Sequence, residues 1–402
     1  MSVFAYKGRA VSGAVAGQIE AADRTAAVQQ LRARGVVATS ISQRRERGAG
    51  FSVALWGSKV KDKDLAIYTR QFATMVNAGL PVAQCLAILA EQGDSPKLRE
   101  VTGKVAQDVE GGRTLAESFR KHPKVFNELF VNMLQVGETG GALDVVLQRL
   151  STYIEKAASL RRKVKGAMVY PITIFSVAGI VVIFMMTFII PTFANMFKNL
   201  NTDLPLPTQI VVWLSDFTRT YILLIVAAAG GGAFGLRRYY ATDKGSLAID
   251  TILLRLPILA PLLKKVSIAR FTRTLGTLIA CGVPILEGLR ITAKTSGNRV
   301  VEGAVMQARA AVTAGRTVAD PLRASSVFPP MVTQMINVGE QTGALDQMLT
   351  KIADFYEEEV DDAVTVMTSL IEPLMIVILG VVVGGLVVAL YLPIFRLVTL
   401  FK

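Results

Sequence analysis

The chain has 402 residues, 51% of them hydrophobic, a formal net charge of +13 and a mean hydropathy of +0.44. Such a composition argues for membrane spans joined to water-facing parts, and the basic excess points to acidic partners or an anionic membrane surface. Two distant cysteines and a single histidine leave no material for a disulfide framework, a CxxC metal site or a His-based catalytic dyad.

Residues 1–45 read as a small ββαβ module: FAYKG, AGQIEA and VVATSIS alternate like short strands around a helix from Arg24 to Arg34 that ends at Gly35. The opening MSVFAYKGRAVSG has no apolar run of the kind a signal peptide needs, which predicts a cytoplasmic start. The basic stretch QRRERGAG, Gln43 to Gly50, leads into a flexible linker over 46–60.

From 61 to 168 the apolar period is helical, with Leu65, Tyr68, Phe72, Met75 and Val76 on one face. Breaks at Gly79 to Pro81, Gly93 to Pro96, Gly111-Gly112 and His122-Pro123 divide the stretch into about six short helices, a compact all-α bundle. Cys85 falls inside one of them as a small hydrophobe, and His122 reads as a solvated turn residue. Near the bundle's end stands VGETGGALD, Val136 to Asp144. Gly137 and Gly141 predict positive φ for a tight reversal, and Asp144 falls in the first turn of the next helix, facing its N-terminal dipole. Glu138 has three readings: a helix-end hydrogen bond, contact with a partner's basic side chain, or ligation of a divalent cation together with Asp144.

No charge occurs between Lys165 and Lys198, and ITIFSVAGIVVIFMMTFII at its centre is long enough for a first span, set at 169–193. A loop over 194–218 carrying LPLP separates it from a shorter, Ala- and Gly-rich second span at 219–237, whose small residues suit packing against a neighbouring helix. A buried soluble helix is the other reading of that segment. Arg161, Arg162, Lys163 and Lys165 before the first span and Arg237, Arg238 and Lys244 after the second predict that both flanks are cytoplasmic and the loop periplasmic. A second soluble stretch, 238–371, precedes the third span, PLMIVILGVVVGGLVVALYLPIF, set at 372–395 with a periplasmic tail at 396–402.

This second half repeats the first. YTRQFATMVNAGLP meets FTRTLGTLIACGVP at an offset of 203, and Val125-Phe126 meets Val327-Phe328 at 202, a register that holds through Pro171/Pro373 to Pro191/Pro393. One slipped residue over so long a match means duplication of a bundle followed by its own membrane helix. VGEQTGALD, Val338 to Asp346, places Gly339, Glu340, Gly343 and Asp346 where the first copy has its turn. Two differences stand out. Tyr170 before Pro171 becomes Glu372 before Pro373, an ionisable group at a span's mouth that reads as a functional candidate or as an interfacially solvated residue beside a Pro-started helix. STYIEKAASLRR becomes ADFYEEEVDDAV, whose acids include Glu357, Glu358, Asp361 and Asp362 and form a solvated face or a dock for a basic partner.

GxxxxGK[ST], HExxH and GxSxG are absent, and the cores of the spans carry no charge, which argues against ATP hydrolysis, metalloprotease, esterase and transport readings. A channel or transporter subunit stays open on the strength of three spans and Glu372. The doubled bundle-plus-span, the two GE turns, RKVKGAMVYP, FPPMVTQMINVGEQTGALD, FYEEEVDDAV and EPLMIVILG, with the FAYKG…GQIEA opening, resemble the inner-membrane platform proteins of type IV pilus machines and of type II secretion systems, the F family. The FYEEEVDDAV and YLPIF wording is closer to the pilus branch. The resemblance implies an all-α membrane protein with two homologous cytoplasmic six-helix bundles, three transmembrane helices and a small N-terminal α+β module. It implies a non-enzymatic scaffold in the bacterial inner membrane, N-terminus cytoplasmic and C-terminus periplasmic, without cofactor, metal or nucleic acid. Its implied partners are a cytoplasmic hexameric pilus ATPase, pilins, other inner-membrane pilus alignment proteins, membrane lipid and further copies of itself.

Overall fold

The fold was described from a computed structural model covering residues 2–10, 13–21, 24–33, 37–43, 60–199, 205–257, 259–325 and 327–400. Nearly all of the predicted linker, residues 200–204 of the predicted outer loop and the last two residues of the tail lie outside that set. The chain divides into two units, Met1–Lys59 and Val60–Lys402.

In the first unit, β1 (Ser2–Ala10), β2 (Gly13–Ala21) and β3 (Val37–Gln43) form an antiparallel sheet in the order β2-β1-β3, with α1 (Arg24–Ala33) between β2 and β3. Ala27 and Leu31, one turn apart on α1, are both buried.

The second unit carries the duplication. In the first copy α2 (Asp62–Asn77), α3 (Val82–Gln92), α4 (Pro96–Glu110), α5 (Leu115–Arg120) and α6 (Glu128–Thr139) are short, and α7 (Leu143–Phe184) is long. A π-helical turn at Met185–Ile189 joins α7 to α8 (Ile190–Asn199), after which α9 (Leu206–Tyr240) and α10 (Asp243–Leu253) precede the second copy. That copy consists of α11 (Ala260–Ala280), α12 (Ile285–Thr295), α13 (Arg299–Thr313), α14 (Ala319–Ala324), α15 (Pro330–Thr342) and α16 (Leu345–Leu400). The turns match in detail, since Gly79 and Gly282 both sit at φ +84 before Pro81 and Pro284, which start the next helices. The first core gathers Tyr68, Phe72, Phe119, Phe126 and Phe130, with Phe119 and Phe126 edge to face at 4.5 Å. At the positions of Phe72, Phe119 and Phe130 the second core has Leu275, Leu322 and Val332.

The two cores interlock. Leu278, Val283 and Ile291 of the second copy are buried in the first core, and Leu160 of α7 is buried in the second. Both bundles therefore lie on the same side of the three apolar helices.

Two expectations need correction. Pro373 starts no helix: like its counterpart Pro171 in α7 it lies inside a long helix, and α7 and α16 run unbroken from bundle into membrane. Proline removes one N–H, but a helix entering lipid has no other way to satisfy its remaining backbone groups, so helicity continues. Much of the predicted outer loop is likewise helical, as α8 reaches Asn199 and α9 starts at Leu206.

The membrane helices satisfy one another's backbone. In the π turn the Ile190 N–H donates to the Met185 carbonyl, which frees the Met186 carbonyl. The buried Ser215 hydroxyl of α9 donates to it. In α16 the Ala389 carbonyl has lost its regular donor because that donor would be Pro393, and the buried Thr208 hydroxyl of α9 takes the place at 2.6 Å. Thr208→Val and Ser215→Ala are each expected to cost about 1 kcal/mol in unfolding measured in lipid. Thr218→Val, whose hydroxyl bonds only Leu214 of its own helix, is expected to change little.

Candidate functional site

The GE turns have an answer in hydrogen bonding. Glu138 Oε1 accepts from Leu115 N at 2.7 Å and Oε2 from Ala116 N at 3.1 Å, so one carboxylate caps the N-terminus of α5. Glu340 does the same for α14, accepting from Val318 N at 2.6 Å and Ala319 N at 3.1 Å. These N–H groups have no intrahelical acceptor, and a carboxylate also matches the positive end of the helix dipole. The glycines divide the work. Gly141 and Gly343 adopt φ +66 and +71, as a reversal requires. Gly137 and Gly339 are instead helical: a Cβ on Gly137 would meet Val146 Cβ at 3.0 Å, and one on Gly339 would meet Leu345 Cα at 2.9 Å. The predicted positive φ at Gly137 gives way to close helix approach, because the following long helix must fold back against its predecessor. Asp144 and Asp346 lie in the first turns of α7 and α16.

The acidic run of α16 is split by the partners it meets. Arg273 of α11 bonds Glu357 at 2.9 Å and Asp354 at 2.5 Å. Lys265 pairs with Glu359. Two acids cross to the first copy: Glu357 meets Lys156 at 3.0 Å and Asp361 meets Lys163 at 2.5 Å, both lysines belonging to α7. Farther along the junction Glu128 accepts from Arg290 and Lys294 of α12, and the Tyr153 and Thr274 hydroxyls bond at 3.1 Å. Glu358 and Asp362 are exposed and, among the described residues, unpaired. Glu372 is also exposed, on the part of α16 that enters the apolar segment.

The Arg–Glu pair is itself duplicated. Arg70 of α2 binds Glu155 of α7 through two hydrogen bonds of 2.5 and 2.6 Å, at the positions equivalent to Arg273 and Glu357. Each repeat thus ties its first helix to its long last helix by the same Arg–Glu pair, with Arg273 dividing its guanidinium between Glu357 and Asp354. The sequence carried this signal as an Arg and a Glu at matching offsets, though nothing local joins residues 85 positions apart.

Reactive chemistry is sparse here. The Cys85 and Cys281 thiols are pushed up by burial, away from the thiolate form. Burial, followed by Lys104, holds the His122 imidazole below its ordinary value. Among the described residues, no three His, Cys, Asp or Glu side chains converge as a metal-ligand set.

A family model described as type II secretion system protein F matches residues 68–191 and again 271–393, and a second, for that protein's N-terminal domain, matches 1–42. Over 381 residues the chain is 43% identical to the type IV pilus assembly protein PilC of Myxococcus xanthus, covering 95% of this chain and 91% of that protein. It is 43% identical over 408 residues to the PilC of Thermus thermophilus, covering 99% and 98%. The type II secretion system protein F of Pseudomonas aeruginosa is 33% identical over 401 residues, covering 99% of each.

Removing a Glu cap strands two backbone donors. Glu138→Ala and Glu340→Ala are each expected to cost about 1–3 kcal/mol and to speed amide exchange at Leu115 and Ala116 or at Val318 and Ala319, whereas Gln, which keeps one acceptor, should retain part of the protection. Arg70 holds the Glu155 carboxyl below its ordinary value of 4.5. A carboxylate depressed in the folded state adds stability that is present above its unfolded pKa and is lost as pH falls through the folded one. Both side chains are more than a third exposed, at 38% and 39%, so screening limits the pair to under about 1 kcal/mol. Glu155→Gln should therefore lower the Tm slightly at neutral pH and converge on the parent as pH falls through the depressed folded-state pKa of Glu155.

Proposed function

The chain belongs to the type II secretion system protein F family, and from that premise we propose that it is the inner-membrane platform of a type IV pilus machine. The observation that carries this reading is full-length likeness at 43% to pilus assembly proteins of two organisms, against 33% to a secretion protein F. In this role the bundles dock a cytoplasmic hexameric ATPase and couple it to pilin entry into or removal from the fibre, with alignment proteins, lipid and further copies of the chain as neighbours. The role is that of a scaffold without chemistry of its own. The clusters Arg161, Arg162, Lys163, Lys165 and Arg237, Arg238 flank the membrane helices on the bundles' side, which supports a cytoplasmic placement of the bundles.

Of the acids, Glu358 and Asp362 are the ones free to meet a basic partner, because Asp354, Glu357, Glu359 and Asp361 are engaged within the chain. Gly137, Glu138, Gly339 and Glu340 serve the turn, and substitutions there act through the fold. A transporter reading finds little support: the cavity bounded by Ile190 near the first span, Thr208 of α9 and Ala389 of α16 measures about 10 Å³, barely room for one water. The secretion branch is the second reading, favoured by coverage of 99% of the protein F relative.

Deletion of the gene is expected to give cells without surface filaments and with normal enzyme export. Lost export with normal filaments would move the protein to the secretion branch. In a complemented strain, the double change Glu358→Lys and Asp362→Lys should abolish piliation while membrane insertion and Tm stay at parental values; normal piliation would remove these acids from the dock.

A further inference from the structure

A cavity of about 390 Å³ opens at the junction of the repeats, lined on its polar side by Asp62 of α2, Asn127 before α6, Tyr153 and Arg161 of α7, Arg270 of α11 and Thr295 of α12. Its volume lies within the range of small-molecule sites. The charged groups facing it are Arg161, Asp62 and Arg270. Arg161 spends part of its guanidinium on Asp62, with contacts of 2.8 and 3.0 Å. Arg270 is different. It is half-buried and, among the described residues, has neither an ion pair nor a hydrogen bond, whereas Arg273, one turn on, has two carboxylates.

Three further observations set Arg270 apart. Its guanidinium lies over Gly297, where a Cβ would come within 2.6 Å of Nη1, so the close approach depends on the bare glycine at φ +76. The equivalent position of the first repeat, 203 residues earlier, is Ile67, and that bundle forms without a cation there. The charge is therefore no requirement of the fold. Burial, more than any neighbour, pushes the guanidinium below its ordinary pKa. A desolvated cation without an acceptor is a standing cost that a bound anion would remove.

We propose that this cavity binds a small, soluble phosphate-bearing anion, with Arg270 as its principal charge partner and Arg161 as the second. Two guanidinium forks against one carboxylate leave a positive site, and such forks match the oxygens of a phosphate group. Asn127 accepts from Phe130 N through Oδ1, which leaves its carboxamide N–H groups as donors. Between Arg161 and residue 169, where the first span is set, α7 rises about 12 Å, which favours a soluble source over a lipid headgroup. The lining comes from α2 and α7 of one repeat and α11 and α12 of the other, so an occupant ties the repeats together at a point where the chain's own contacts leave a gap.

The test uses the full-length protein in nanodiscs of zwitterionic lipid, titrated calorimetrically with inorganic phosphate, pyrophosphate and ATP, and followed by thermal unfolding. Pyrophosphate or ATP is expected to bind and to raise the Tm. Arg270→Gln should weaken that affinity about tenfold or more, and Arg270→Ile, which copies the first repeat, should do the same while keeping the ligand-free Tm. Arg290→Gln, outside the cavity, should leave binding unchanged. Equal affinity in the parent and both Arg270 variants, or no binding of any of the three probes to the parent, would overturn the proposal. Loss of pyrophosphate binding on moving to nanodiscs rich in phosphatidylglycerol would overturn the soluble source in favour of a headgroup.

Discussion

A backbone carbonyl inside a bilayer must find a donor within the protein, and this constraint shapes everything on the membrane side of the molecule. Pro393 deprives one carbonyl of its donor and the π turn before Pro191 displaces another. Thr208 and Ser215 supply the missing hydroxyls from α9. The middle helix is thus held by two polar contacts at the far end, while its Ala- and Gly-rich half, Ala227 to Gly235, lies exposed. For the same reason α7 and α16 continue through Pro171 and Pro373, so each bundle ends in a helix that cannot move without its own span.

Continuity makes α7 a member of two structures at once. Its early turns close the first core, Leu160 enters the second, and Lys156 and Lys163 reach Glu357 and Asp361 of α16. The apolar contacts supply most of the adhesion, because exposed ion pairs contribute little in water; the charges set register, since opposite signs meet only when the two long helices are aligned. In the second copy Asp361, which stands where the first has Ser159, meets Lys163 of α7, while Asp354 and Glu359 are taken up by Arg273 and Lys265 of their own copy. The divergence of the copies is thus partly an adaptation to each other.

Much of this was legible in the sequence, and the limits have physical causes. The bundles, the spans and the duplication follow from the 3.6-residue period, the uncharged windows and the constant offsets, all of which are local or self-comparing signals. The partners of Glu138 lie 22 and 23 residues away, and those of Glu357 are Arg273, 84 positions away, and Lys156 of the other repeat, so no local pattern could name them. Proline was misread at Pro373 because its local effect is to break helices, whereas the surrounding lipid penalises the break more. Arg270 had no motif at all; only the comparison with Ile67 across the repeat marks it. The small N-terminal sheet followed from alternation alone.

The helix α9 has no counterpart in either repeat. Every crossing reverses the side on which the next segment emerges, so a unit ending in one span, when simply copied in tandem, would deliver its two bundles to opposite faces and leave their complementary surfaces unable to meet. The extra helix restores even parity between them. Duplication of this unit could yield a paired scaffold only together with such an inverting insert, and loss of α9 would alter the address of half the protein before it altered any contact.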